Sequence, residues 1–261
     1  MTTVAVLGLG EAGSLIATDL VRAGAEVRGY DPRVPAVGEL AGSPDAATAC
    51  RGADLVLSVN SAADALDALE QGLPGCSPGT VWADLNTAAP SEKLAVDRAG
   101  RDRVRVVDVA LMAPVPPHGL RTPMTACGAA APEFAAVLRP FGASVEVLDG
   151  PIGAAATHKL LRSVFYKGLA AAVVEALAAA RAAGLADWLH GNIADALIDM
   201  DASTVDRLVE GSRRHAVRRE HEMRAAAQLL TDLGVPARVS LASRDWLRDL
   251  AAAQPPPDGV G

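Results

Sequence analysis

Aromatic side chains are scarce: three Phe, two Tyr and three Trp make up 3% of 261 residues, although half the chain is hydrophobic. A core must therefore be assembled from Ala, Val and Leu, whose small side chains suit closely packed helices and buried parallel strands. Cysteine is scarce as well. Cys50, Cys76 and Cys127 form no CxxC pair and show no metal-ligand spacing. That excludes a disulfide scaffold, argues against a zinc site and fits a reducing compartment. Positive charge is in deficit, 24 Lys and Arg against 31 Asp and Glu, the opposite of a nucleic-acid-binding footprint. The N-terminus runs straight into TTVAVLGLG with no basic leader, and no apolar stretch is read as reaching the ~18 residues of a membrane span. The expectation is a cytoplasmic protein with no nucleic-acid partner, no membrane partner and no metal.

What is present is alternation. Strand-like runs occur at Thr3–Leu7, Glu26–Tyr30, Leu55–Val59, Thr80–Asp84, Val104–Val109, Thr122–Cys127 and Ser144–Leu148. Amphipathic stretches lie between them at Glu11–Ala23, Ala62–Gln71, Ser91–Ala99 and Pro132–Leu138. Strands that do not alternate apolar with polar, separated by helices, predict an α/β Rossmann domain with a mostly parallel sheet over residues 1–150. An all-α domain is expected over 151–261. It comprises a long helix Pro151–Ala183 closed by Gly184, then Ala186–Asp199, Thr204–Gln228 with a break near Gly211, and Ser240–Ala252. The tail 253–261, rich in proline, is expected to be disordered.

Gly8-Leu9-Gly10-Glu11-Ala12-Gly13 is a G-x-G-x-x-G directly after a strand and at the start of a helix. Gly8 permits the tight turn, Gly10 a close approach of backbone to a pyrophosphate, and Gly13 close packing of helix on strand. The confirming context is an acid about 20 residues on, at the end of the second strand. Asp31 stands there. Its carboxylate would accept the adenosine ribose hydroxyls and favour NAD, whereas Arg33 could grip the 2′-phosphate of NADP. Glu11, in the first helical turn, would repel phosphate and is expected to point away. Val59 and Asn60 (through backbone) and Asn86 lie at carboxyl ends of strands, where cofactor contacts gather; Asn60 could instead cap a helix.

GLGEAGSLIATDLVRAGAEVRGYD resembles the opening of the β-hydroxyacid dehydrogenase superfamily, which includes 3-hydroxyisobutyrate and 6-phosphogluconate dehydrogenases. The family's D-x-S-T-x-x-P is matched by Asp84-Leu85-Asn86-Thr87-Ala88-Ala89-Pro90, and its G-x-x-G-x-x-x-x-x-K by Gly150 through Lys159. His221-Glu222-Met223 stands where the family has K-D-L before Gly234-Val235-Pro236. The resemblance implies an NAD(P)-dependent enzyme of small hydroxy acids whose all-α domain packs against a partner subunit. The departures are pointed. The Ser-Gly-Gly of the family's substrate loop is lost in Asp108–Pro114, which leaves Met112 there, and the family asparagine one turn after the lysine is Ser163. These features resemble a little-characterised bacterial branch with its own C-terminal domain.

By that resemblance Lys159 is the expected general acid/base, its ammonium destabilised beside an apolar nicotinamide pocket. Ser163 and Lys167 follow at four-residue steps on the same helical face. Ser163 would bond the substrate oxygen, while Lys167 offers a second positive charge or pairs with Glu175. His118 and Arg121, in a Pro/Gly-rich loop after a strand, would replace the missing anion site. His221 would contact substrate, or else belong to a solvated face with pairs such as Arg218–Glu222. The partners expected are a small-molecule substrate and, from the Ala/Leu-rich helical domain, a second copy of the chain. Two rivals stand beside this reading. One is an imine reductase, which loss of Ser-Gly-Gly favours and the retained lysine disfavours; the other is a dinucleotide-binding protein without catalysis.

Overall fold

The computed structural model describes residues 2–36, 38 and 40–253. The chain divides into two compact units, Met1–Arg162 and Ser163–Gly261. In the first, strands β1 (Thr3–Leu7), β2 (Glu26–Tyr30), β3 (Ala41–Gly42), β4 (Leu55–Ser58), β5 (Thr80–Asp84), β6 (Val104–Leu111), β7 (Met124–Cys127) and β8 (Val145–Val147) form one sheet. Their order is β3-β2-β1-β4-β5-β6-β7-β8, and every neighbouring pair is parallel except β6 and β7. All seven expected strands are present. The two-residue β3 is new, as is helix α2 (Ala46–Cys50); neither is long enough for a hydrophobic period to register.

Helices α1 (Glu11–Arg22), α3 (Ala65–Gly72), α4 (Pro90–Gly100) and α6 (Ala131–Leu138) match the expected amphipathic stretches, and α5 (Val115–His118) is a single turn. They cover both faces of the sheet, which is why β1, β4 and β5 are buried at every position. Val4 and Val6 face one layer with Ile16 and Leu20 of α1 and Phe134 of α6. Ala5, Leu7 and Val56 face the other with Leu69 of α3 and Trp82. The chain leaves β1 for β2 on one side and returns as β4 on the other. The crevice beyond the carboxyl ends of β1 and β4 is therefore the topological switch point, where open α/β sheets place ligands.

One charged cluster lies inside this apolar frame. Asp84 and Asp108 are register partners on β5 and β6, so their carboxylates project side by side. Lys93 of α4, only 1% exposed, puts its Nζ 3.3 Å from Asp84 Oδ2 and 3.4 Å from Asp108 Oδ1. It also donates to the Asp84 carbonyl at 2.7 Å. The two carboxylate oxygens it faces have no directional hydrogen bond, so that contact is ionic. Asp108 Oδ2 turns the other way and accepts from the backbone N–H of Gly153 (3.0 Å) and Ala156 (3.1 Å). Those residues open helix α7 (Ala154–Ala182), whose positive end adds to the neutralisation.

Residues beyond α7 form α8 (Ala186–Ile198), α9 (Ser203–Arg214), α10 (Ala216–Asp232) and α11 (Arg238–Ala252); no strand follows β8 among the described residues. Gly184 closes α7 at φ +73°, as its position predicts. The break expected at Gly211 falls instead at His215, between α9 and α10. Gly211 is helical, and its missing Cβ makes room for the Arg219 side chain. The expected disordered tail lies, from 254 on, outside the described residues. In the second unit Ala179 of α7, Ala227 and Leu230 of α10 and Ala237 form a small core. Glu175 of α7 accepts the N–H groups of Val239 and Ser240 at the start of α11 (2.7 and 2.8 Å), so it is not the partner imagined for Lys167.

A correction concerns membranes. α7 has 29 residues and a window of mean hydropathy 1.4, long and apolar enough to cross a bilayer by length and composition alone. Lys159, Arg162, Lys167, Glu175 and Arg181 lie along it, and alanine rather than leucine supplies much of its apolarity.

Breaking a buried ion pair by removing one partner costs about 3–5 kcal/mol. Lys93→Met is expected to lose that much in urea unfolding. A loss under about 1 kcal/mol would show that the two aspartates tolerate each other without the cation.

Candidate functional site

The three glycines of the turn are glycine for different physical reasons. Gly8 follows β1 at φ +99°, and an added Cβ would strike the Val59 carbonyl oxygen and Asn60 Oδ1. Gly13 lies so close to the Gly8 carbonyl that no side chain fits. Gly10 is unlike both. Its φ of −62° is open to any residue, and a Cβ there would meet no heavy atom within 4 Å among the described residues. Nothing in the protein demands glycine at 10. The space above it, at the N-cap of α1, suits a ligand that must approach the backbone closely. No side chain caps α1, so the N–H groups of its first turn have no partner in their own helix and are open to an anion. Ala12 sits in that turn, and Glu11 beside it is exposed.

Leu9 ties the glycine turn to the end of β2. Its side chain is buried and its N–H donates to Asp31 Oδ2 at 2.8 Å, so it is committed within the protein. Asp31 Oδ1 accepts from the N–H groups of Arg33 (2.8 Å) and Val34 (3.0 Å). Three of the four acceptor positions of the carboxylate are thus filled, and one remains for a ligand hydroxyl. Burial pulls the Asp31 carboxyl up, but these backbone bonds and the Arg33 charge outweigh it and hold the group below the usual carboxylate value. Asp31 and Arg33 line a cavity of about 220 Å³ together with Gly8, Asn60, Asp64 and Asp67.

The ends of β4 and β5 are joined by side chains. Asn86 Oδ1 accepts the Asn60 N–H, and Asn86 Nδ2 donates to Asp84 Oδ1 (2.6 Å) and to Ser58 Oγ (3.2 Å). Val59 N–H donates to the Leu7 carbonyl at 2.7 Å. The backbone N–H groups of Val59 and Asn60 are therefore engaged within the protein. Their carbonyls and Asn60 Oδ1 remain, since Asn60 Nδ2 donates to Ser58 Oγ at 3.0 Å. Asn86 is 3% exposed and acts by holding this rim, a role the strand-end position alone does not reveal.

Lys159 is half-buried in the second turn of α7, with Ser163 half-buried and Lys167 exposed one and two turns on. Met112 is half-buried past β6, where its N–H donates to the Pro123 carbonyl. His118 is exposed at the end of α5, just before a segment stitched to α1, where Asp19 accepts the Leu120 N–H at 2.9 Å. Arg121 is not brought to the glycine turn. It lines a hollow of about 310 Å³ with Arg22 and Phe141 at the far end of α1, about 16 Å along that helix. His221 is exposed on α10 beside Glu220 (3.6 Å), and Arg218 pairs with Glu222 at 2.6 Å, as a solvated helical face would. Two residues passed over in the sequence now matter. Lys93 is one; the other is Asp64, which holds the Arg33 guanidinium at 3.1 Å.

A glycine turn at the switch point of a parallel sheet, with an acid closing the second strand, defines a dinucleotide-binding α/β protein. More particularly, residues 3–112 match the NAD binding domain of 6-phosphogluconate dehydrogenase, and residues 180–250 match a domain of unknown function (DUF1932). The chain carries these two domains in that order. A curated relative, an uncharacterized 28.5 kDa protein from the 7S RNA 5′ region of Methanothermus fervidus, is 28% identical over 139 residues, 53% of either protein. The chain thus spans about half the length of that relative. Among solved structures, a conserved hypothetical protein from Sinorhizobium meliloti 1021 is 29% identical, with TM-score 0.61, over 100% of this chain and 92% of that one. An imine reductase from Pseudomonas sp. (21% identical) and a reductive aminase from Aspergillus terreus in complex with NADPH4, cyclohexanone and allyl amine (18%) each have TM-score 0.77. Each covers 97% of this chain and 94% of its own. At such identities the last two show the fold alone.

The glycine analysis separates architecture from binding. Gly10→Ala is expected to cost at most about 1 kcal/mol of stability yet to weaken NADH or NADPH binding more than about tenfold, read by calorimetry. Gly13→Ala is expected to destabilise the fold itself. Unchanged dinucleotide affinity in Gly10→Ala would remove the argument from empty space.

Proposed function

We propose that the chain is an oxidoreductase using a nicotinamide dinucleotide, NAD in preference to NADP, to interconvert a small polar hydroxy compound and its carbonyl form. A hydroxy acid is the substrate class we favour. The observation that carries the reading is the space reserved above Gly10, at a helix N-terminus within a domain matching an NAD-binding family. A bound nicotinamide supplies or takes up the hydride of such a reaction.

The rest falls to the chain's own side chains. Residues 1–150 hold the dinucleotide: Gly8 to Gly13 cradle its phosphates and Asp31 accepts a ribose hydroxyl. Residues 151–261 supply substrate contacts and the dimer interface. Lys159 Nζ gives a proton to the carbonyl oxygen in reduction and takes it from the alcohol in oxidation. Ser163 Oγ bonds the same oxygen. Lys167, His118 and His221 offer positive charge or donors to an acid group, and Met112 lines an apolar side. Support for a second copy comes from the helical unit's surface. Val174, Trp188, Ile198, Val205, Val217 and Trp246 are each more than 60% exposed, an apolar area that isolated soluble chains rarely leave uncovered. We read it as a face between protein chains rather than toward lipid.

A second reading, reduction of a C=N bond, is favoured by the whole-chain likeness to an imine reductase. Turnover of a panel of 2- and 3-keto acids against cyclic imines, with either reduced dinucleotide, decides between them. Keto-acid turnover that falls more than about 10²-fold in Lys159→Ala is expected. Imine turnover alone would replace the hydroxy-acid reading, and dinucleotide binding without turnover of either would make the chain a non-catalytic binder. Light scattering at micromolar concentration is expected to give twice the 26.6 kDa chain mass, with Trp188→Glu shifting it toward the monomer; a monomeric parent would end the dimer proposal.

A further inference from the structure

The cavity beyond the end of β2 is unbalanced in charge. Asp31, Asp64 and Asp67 line it, and Arg33 is the one cation among its described lining residues. Arg33 faces two demands. Its backbone N–H serves Asp31, while its guanidinium Nη2 lies 3.1 Å from Asp64 Oδ2. Asp64 is itself oriented, since the same Oδ2 accepts Ser61 Oγ at 2.8 Å and Ser61 Oγ accepts the Asp64 N–H at 3.2 Å. Arg33 is 77% exposed and Asp64 45%. A pair so open to water does not lock a side chain in place. It acts through charge: the carboxylate beside the guanidinium lowers the positive potential that an incoming dianion would meet.

We propose that Asp64 is the residue that sets the choice between NAD and NADP, by withholding Arg33 from the 2′-phosphate. This rests on the reading that the glycine turn binds a nicotinamide dinucleotide. Asp31 keeps one acceptor position for a 2′-hydroxyl and none of its chemistry suits a phosphate. Asp64 offsets the one guanidinium among the described lining residues, and Asp67 adds a further negative charge. A 2′-phosphate entering here meets a cavity of net charge −2, from three carboxylates and one guanidinium. A 2′-hydroxyl meets an acceptor. Asp31 cannot be the sole determinant, because its carboxylate is also tied to Leu9 in the glycine turn, so removing it disturbs the turn for both cofactors. Asp64 lies outside that linkage.

The test is calorimetric titration of the full chain with NADH and with NADPH, from about 0.02 to about 0.5 M salt. The proteins compared are the parent, Asp64→Asn, Asp64→Ser and Asp64→Asn with Arg33→Ala. The parent is expected to bind NADH at least about tenfold more tightly, with the gap narrowing as salt screens the carboxylates. Either Asp64 variant should tighten NADPH about fivefold and leave NADH within about twofold, and Arg33→Ala should remove the gain. Equal affinity in the parent, an unchanged ratio in both Asp64 variants, or a gain that survives loss of Arg33 would overturn the assignment while leaving the dinucleotide site standing. Failure of the parent to bind either dinucleotide would overturn the reading beneath it as well.

Discussion

Two carboxylates placed side by side on adjacent buried strands repel each other unless something intervenes, and the arrangement of this sheet's rim follows from what does. Lys93 meets Asp84 and Asp108 at 3.3 and 3.4 Å, and each aspartate spends its other oxygen on a different part of the rim. Asp108 holds the first turn of α7. Asp84 holds Asn86, which holds the Asn60 N–H, and Asn60 lies against Gly8. A continuous polar chain therefore runs from the start of α7 to the glycine turn. Such clusters are seldom more stable than an apolar replacement. What this one contributes is position: it leaves β5, β6, α4 and the start of α7 one relative arrangement in which both carboxylates share the Lys93 ammonium.

The strands and the glycine turn were legible because each has a local signature. Unalternating apolar runs mark buried parallel strands, and G-x-G-x-x-G with Asp31 marks the turn. Asp108 was legible in part. An acid within VRVVDVAL is out of place in a buried strand and signals a partner, but its spacing from Lys93 obeys no helical or strand period. Lys93 itself reads as one more charge on an amphipathic helix, and only its 1% exposure distinguishes it. Asp64 was hidden similarly. Its distance of 31 residues from Arg33 is closed by the sheet, and no local pattern records that. The break at His215 was misplaced because glycine is the strongest local breaker, and at Gly211 it serves packing instead.

The glycine turn shows how a motif can be taken apart. Gly8 and Gly13 answer to protein neighbours, so they would be needed in a fold that bound nothing. Gly10 answers to empty space. The same division applies to the acid of the motif: Asp31 is partly a structural clamp, tying Leu9, Arg33 and Val34 together, and partly an acceptor facing outward. Residues that carry both duties are poor places to alter selectivity, because recognition and loop shape change together.

The three tryptophans fall into two optical classes. Trp82 is sealed in the core, its ring over Gly72 and its indole N–H without a partner, whereas Trp188 and Trp246 are 63% and 70% exposed on helices of the second unit. Emission from the folded single chain is thus a sum of one blue component in a dry sheet and two red ones in water. Loss of the sheet moves the first to the red, and covering the helices moves the other two to the blue. Unfolding and association shift the spectrum in opposite directions, so the chain carries its own intrinsic means of telling them apart.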